Sequence, residues 1–308
     1  MKVVVLAGGY GGARLARALA ETVAPGDLTV VGNVGDDLEV LGLHVSPDLD
    51  SILYALAGVG DEERGWGRAD ETWNALETVA ALGRDTWFQL GDRDLGLHLV
   101  RTAKLRAGER LSTVTAHFTA AFGVETKVLP ATDDPLRTWV ETPVGDFPFQ
   151  QWYVARGHRD EVNAVRYEGA EQAGAAPGVS EALEAADLAV IAPSNPYLSI
   201  GPILAVDEIR AALERRTAPA VAVSPLIGGR TVKGPADAML EHFSGGTSPA
   251  HVAGCYDGLI DALVLDEADA GDTENLRVRP MVAATLMQDA EARRRLAEAV
   301  LEAAAVTK

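Results

Sequence analysis

The residues best suited to chemistry cluster after apolar runs, and the first cluster is Gly8-Gly9-Tyr10-Gly11-Gly12. It follows a β-branched run at 3–7 and precedes a stretch, 12–21, with helical apolar spacing. Glycines between a strand and a helix let backbone N–H groups and the helix N-terminus approach a phosphate. The alternative is a tight turn whose glycines serve packing alone. A dinucleotide fingerprint is not completed, because the third position counted from Gly9 is Arg14 and the second strand ends in Asn33 instead of an acid. A phosphate-loop lysine motif is also missing.

The second cluster is acidic: Asp36, Asp37, Asp48 and Asp50. In a parallel sheet, loops after successive strands meet at one carboxyl edge, so these carboxylates can converge near the glycine turn. Hard oxygen donors beside phosphate suit Mg²⁺. Asp48, or neighbouring Ser46, is equally readable as a helix N-cap, and Asp50 as a first-turn acid that favours the helix dipole. A third cluster, Leu90-Gly91-Asp92-Arg93-Asp94, is followed by His98 and Arg101. Arg93 between two acids reads as an ion-pair hub or a ligand contact, and the His98/Arg101 pair as a solvated helical face. Two further segments, 192–202 and 224–234, follow strands and are rich in Ser, Asn, Gly and Pro. Such loops at a sheet edge suit base, ribose or phosphate contacts, although a plain connector is the alternative. Without a Ser-His-Asp order or a His-Glu-x-x-His motif, and with Cys255 unsupported, covalent catalysis has no good candidate. What is left is positioning and charge neutralisation, the style of phosphoryl transfer.

The elements that must position these groups alternate strand and helix at both ends of the chain. Strands are expected at 3–7, 28–33, 188–192, 218–223 and 262–265, with helices at 12–21, 49–56, 206–214, 234–243 and 289–304. The middle breaks the rhythm: helices at 71–82, 94–107 and 111–122, a hairpin of 138–144 with 147–154, and a strand near 163–167. This predicts an α/β chain with a Rossmann-like, doubly wound, mostly parallel sheet and an inserted helical and β subdomain. Residues 1–60 and 175–308 would form the nucleotide-binding core, and 61–174 the insertion.

The totals set limits on this scheme. A chain of 308 residues, 47% hydrophobic and 23% charged, suits a soluble globular protein. Its net charge of -18 argues against a nucleic-acid partner, which requires a basic face. The absence of a signal-peptide pattern, a membrane-length apolar run and a second cysteine points to the cytoplasm.

Taken together, the segments LAGGYGGARLARAL, NVGDD, GLHVSPDLDSILYALAG, RGWGRADETWNAL, WFQLGDRDLGLHLVRT, LPATDDPLRTWV, FQQWYV, APSNPYLSIGPILAV and SPLIGGRTVKGPAD carry a resemblance. They resemble the 2-phospho-L-lactate transferases and their bacterial phosphoenolpyruvate-derived counterparts, in the family's order from Met1 to about Asp237. One departure is Tyr10, where Thr or Val is expected; its side chain is expected to point to solvent. The resemblance implies attack by the terminal ribityl hydroxyl of the deazaflavin precursor Fo on the β-phosphorus of a guanosine-diphosphate-linked acid, with release of GMP. It implies Mg²⁺, with Asp36, Asp37 and Asp48 as candidate ligands, and a homodimer. By the family pattern Asp50 and Arg93 would contact Fo, and Asp50 would orient or deprotonate the hydroxyl. Gly9, Gly11, Gly12, Asn33, Ser194, Asn195, Ser199 and Gly201 would hold the guanylyl donor. Whether the acid is lactate, enolpyruvate or glycerate stays open. A non-catalytic sugar-nucleotide-binding regulator of the same superfamily is the alternative; an NAD oxidoreductase is disfavoured by Arg14 and Asn33.

Overall fold

The computed structural model describes residues 1–306. From the N-terminus, β1 (Val3–Ala7) feeds α1 (Gly9–Ala20), β2 (Leu28–Gly32), a small hairpin of β3 (Leu38–Val40) and β4 (Leu43–Val45), and α2 (Pro47–Ala57). Three helices follow, α3 (Asn74–Ala81), α4 (Asp92–Arg106) and α5 (Leu111–Ala121), and then β5 (Lys127–Pro130). Next come β6 (Arg137–Thr142), β7 (Gly145–Pro148) and β8 (Ala164–Glu168), an antiparallel sheet in the order β7-β6-β8. The second half runs α6 (Val179–Glu184), β9 (Leu188–Ile191), α7 (Gly201–Leu204), α8 (Asp207–Glu214) and β10 (Ala220–Val223). It closes with the two-residue strands β11 (Leu226–Ile227) and β12 (Arg230–Thr231), α9 (Ala236–Ser244), α10 (Pro249–Gly254), β13 (Ala262–Asp266), β14 (Arg279–Ala283) and α11 (Ala290–Val306).

Seven strands form the central sheet in the order β14-β13-β10-β9-β1-β2-β5. Every pairing in it is parallel, so the sheet is wholly and not just mostly parallel. Unbroken apolar strands such as VVVLA and LAVI are what burial on both faces demands. The chain winds from β1 outward through β2 to β5, returns to β9 on the other side of β1, and winds away through β10. Right-handed crossovers running in opposite directions put α1 and α8 on opposite faces. The strand order therefore reverses between β1 and β9, and the crevice at their carboxyl ends is where such sheets bind ligands.

Several expectations change. The helix after β1 begins at Gly9 and so includes most of the glycine turn. The stretch 61–174 gives one strand, β5, to the main sheet. The second hairpin strand spans only Gly145–Pro148, and Gln151–Ala155 is a π-helical turn. There Trp152 is 1% exposed and packs with Phe149, Leu198 and Met239, so tertiary burial overrides the β preference of its aromatic neighbours. No described helix is long and apolar enough to cross a membrane.

Candidate active site

At the reversal point the turns after β1 and β9 interlock. Ser194 Oγ donates to Gly8 O at 2.7 Å, and Gly8 N lies 3.4 Å from the same oxygen. A Cβ on Gly11 would lie 2.7 Å from Pro193 O, and one on Gly12 2.7 Å from Ser194 Oγ. Close approach of the turn after β9, by its backbone at Gly11 and by the Ser194 side chain at Gly12, requires these glycines at the mouth of the crevice.

Asn33 closes β2 and is fully buried. Its Nδ2 donates to Asp36 Oδ1 at 3.0 Å and to Asp48 Oδ2 at 2.9 Å, while its Oδ1 accepts from Gly35 N at 2.7 Å. Asp48 Oδ1 accepts from Gly9 N at 2.8 Å, tying α2 to the glycine turn. Ser46 occupies the N-cap position of α2, so the N-cap reading of Asp48 is replaced by a bond across the crevice. Ser199 completes this group, its Oγ 3.7 Å from where a Gly9 Cβ would stand. Gly9, Gly11, Gly12, Asn33, Asp36, Asp48, Ser194 and Ser199 thus meet at one place.

Two of those carboxylates share a single amide donor in a dry setting, and both resist ionisation. Burial pushes Asp48 up to about 6 against the bonds from Asn33 and Gly9, with the charges of Asp37 and Asp50 adding to the rise. Burial, followed by the charge of Asp48, holds Asp36 well above the usual carboxylate range. Asp37 stands alongside: its Oδ2 accepts from Ser46 Oγ at 2.8 Å and contacts His44 Nε2 at 2.9 Å, and its Oδ1 is buried without a partner. Among the described residues no group of three or more His, Cys, Asp or Glu side chains is arranged to hold a metal ion. Two crowded carboxylates with an orphaned third oxygen nearby do fit an open Mg²⁺ site, since that ion keeps waters and takes substrate phosphate oxygens.

Asp50, also on α2, has the opposite environment. Arg101 clamps it with both terminal nitrogens, Nη1 to Oδ2 at 3.0 Å and Nη2 to Oδ1 in a short contact. His98 Nδ1 lies 3.1 Å from Arg101 Nη1, and Tyr54 donates to Asp94 in a short bond beside them. His98 and Arg101 are 1% and 2% exposed, so the solvated-face reading is overturned. They lie with Asp94, Leu97 and Thr102 on the buried side of α4. Burial works against the charge of Arg101, and the Asp50 carboxylate outweighs it.

Arg93 is exposed and bridges neither Asp92 nor Asp94, contrary to the hub expectation. Its Nη1 donates to Ala69 O at 3.3 Å, while Asp92 caps α3 through Thr72, Asn74 and Ala75. Asn195 and Gly201 shape the π-helical turn Pro196–Ile200: Asn195 Oδ1 accepts from the amides of Tyr197 and Leu198, and Gly201 leaves room for the Tyr167 hydroxyl. Tyr10 does not project freely into solvent. The Arg14 guanidinium and Lys233 Nζ both lie over its ring, 5.3 Å and 5.4 Å from the centroid. Lys233 brings the 224–234 segment back to Gly65 O at 3.1 Å, over the glycine turn. Sequence reasoning missed Tyr54, and it placed Arg101 on a solvated face and Lys233 only within the 224–234 loop as a whole. The spacing of Asp94, Leu97, His98 and Arg101 was the available signal, since a shared helical face containing Leu97 faces inward.

Known proteins resemble this chain along its whole length. The chain is 42% identical to a phosphoenolpyruvate transferase of Streptomyces griseus, covering 99% of this chain and 98% of the relative. It is 39% identical to the phosphoenolpyruvate transferase of Mycolicibacterium smegmatis over the full length of both. A solved member of the upf0052 family from Bacillus halodurans matches 97% of this chain and 98% of its own with a TM-score of 0.66, and at 19% identity it shows the shared fold. The family model described as 2-phospho-L-lactate transferase CofD matches residues 3–306, and the chain belongs to that family.

Proposed function

We propose that the chain transfers a phosphoenolpyruvyl- or phospholactyl-type group from a guanosine-diphosphate-linked donor to the ribityl hydroxyl of Fo, releasing GMP, in coenzyme F-420 biosynthesis. The observation that carries this reading is the Asp36–Asn33–Asp48 cluster, under-neutralised and pressed against a glycine turn at the sheet's reversal point. A diphosphate seated on that turn would bring its charge beside two carboxylates that repel it, and a divalent cation between them resolves the conflict. Asp36 and Asp48, with Asp37 near, would hold Mg²⁺, which when bound supplies charge neutralisation on the phosphoryl oxygens.

The hydroxyl oxygen of Fo forms the new bond to the β-phosphorus as the bond to the α–β bridging oxygen breaks, and GMP departs with that electron pair. Transition states of this kind are loose, so the nucleophile needs positioning more than early deprotonation. Asp50, fixed by Arg101, accepts the hydroxyl's hydrogen bond and takes its proton as the new bond completes. Arg93 offers a planar fork to the deazaflavin ring system. Gly9, Gly11, Gly12, Ser194 and Ser199 surround the donor phosphates, with Asn195 and Gly201 supporting the turn that carries Ser199. The names of the full-length relatives favour enolpyruvate as the acid. The reading includes a cytoplasmic homodimer. The regulator alternative draws only on a shared fold.

The test is chromatography of a reaction with Fo and enolpyruvyl-diphosphoguanosine. Stoichiometric GMP and deazaflavin diester, both abolished by EDTA, are expected. GDP as the leaving product, or full turnover in excess EDTA, would refute the reaction proposed.

A further inference from the structure

A second pocket lies outside the crevice, between α1, α2, the 60–67 loop and α11. None of Asn33, Asp36 or Asp48 lines it; Arg14, Arg17, Arg293, Tyr10 and Glu62 do. Three guanidinium groups in one small pocket are unexpected in a chain of net charge -18. Their neutralisation is incomplete. Glu62 is shared between Arg17 Nη1 at 2.9 Å and Arg293 Nη1 at 3.4 Å, and it is 52% exposed. Asp61, the other acid in the wall, is held by Arg64. Arg14 has only the Tyr10 hydroxyl, 3.5 Å from its Nη1. Nε and Nη2 of Arg14 and Nε of Arg293 are buried with no hydrogen-bond partner, although the Arg293 side chain is only 5% exposed. Orphaned charged donors carry a desolvation cost that an acceptor in the pocket would remove.

We propose that this pocket binds a small oxyanion of the phosphate class, independently of the crevice that takes the guanylyl donor. Arg14 supplies two adjacent donors of one fork, the geometry that matches paired oxygens on one phosphorus, and Arg293 approaches from α11. Because Arg14 also packs on Tyr10 of the glycine turn, an occupied pocket would stiffen the turn from behind. This goes beyond the transfer reaction and does not depend on it.

The experiment is calorimetric titration of inorganic phosphate into the full chain, with and without saturating GDP, for the wild type and for R14Q, R293Q and E62Q. One saturable site is expected that persists with GDP present. R14Q and R293Q should each weaken it by about 10-fold or more, from loss of a charge-assisted bond. E62Q should tighten it, because the competing carboxylate is gone; a merely misfolded variant could not do so. If buried Arg293 cannot be replaced without unfolding, the opposite responses of R14Q and E62Q still decide. No saturable binding, binding indifferent to R14Q and E62Q, or binding abolished by GDP (which would make the pocket part of the donor's own seat) would each overturn the proposal.

Discussion

Two carboxylate centres sit on the same helix, α2, and differ in one respect: whether the protein supplies the countercharge. Asp50 is met by a guanidinium that is itself buried at the end of a Tyr54–Asp94–His98 array. Asp48, two residues earlier, shares a neutral amide with Asp36 and faces no cation. The first centre is complete as it stands. The second is poised for a ligand that brings positive charge, so the Asp50 centre is oriented before any substrate arrives, whereas the Asp48 centre awaits its countercharge.

Removing the built-in cation should have the largest effect. Arg101→Met leaves the Asp50 carboxylate buried and unpaired, and a loss of about 3–5 kcal/mol in unfolding free energy is expected. Adding Asp50→Asn to that variant should restore much of the stability while leaving turnover low. A denaturant double-mutant cycle measures the coupling, and additive losses would mean the pair is not a unit. At the other centre the signs reverse. Asp48→Asn removes an unneutralised charge, so its melting temperature should hold or rise, while turnover falls by on the order of 10²–10³, or about 3–4 kcal/mol of barrier. Equal turnover in the variant and wild type would remove Asp48 from the reaction. The smallest effect belongs to Arg93→Ala. Affinity for Fo should fall by roughly 10- to 150-fold with GDP affinity unchanged, as expected for loss of one charge-assisted hydrogen bond. Equal weakening of both ligands, measured by fluorescence titration, would move the deazaflavin elsewhere.

The sheet centre was legible because VVVLA, LAVI and AVAV are apolar throughout, as central parallel strands must be. The edge strands were not. KVLP begins with an exposed lysine and RPMVA carries a proline, both tolerated at an edge and both poor strand signals. The glycine turn, Asn33 and the acids could be read because each directly follows a strand and topology alone gathers them. The pairing of Arg101 with Asp50 could not, since the two are 51 residues apart; the inward face of Arg101 was signalled only by its spacing from Leu97. Tyr10 was misjudged for a similar reason: the cations that lie over its ring come from α1 and from the distant 224–234 segment.

The contrast between the two centres rests on one unneutralised pair, and its melting behaviour with pH and metal tests that directly. The folded-state value of Asp48, about 6, lies above its ordinary 3.8. Its contribution to stability is therefore present below about pH 4 and lost as pH rises through about 6, up to about 3 kcal/mol in all. In EDTA, the melting temperature of the wild type should fall between about pH 4.5 and 7.5, and Mg²⁺ added at the higher pH should recover the loss. Asp48→Asn should show a reduced pH slope and a reduced Mg²⁺ response. A flat profile in EDTA, or a Mg²⁺ effect undiminished in Asp48→Asn, would contradict the assignment of this centre as the cation seat.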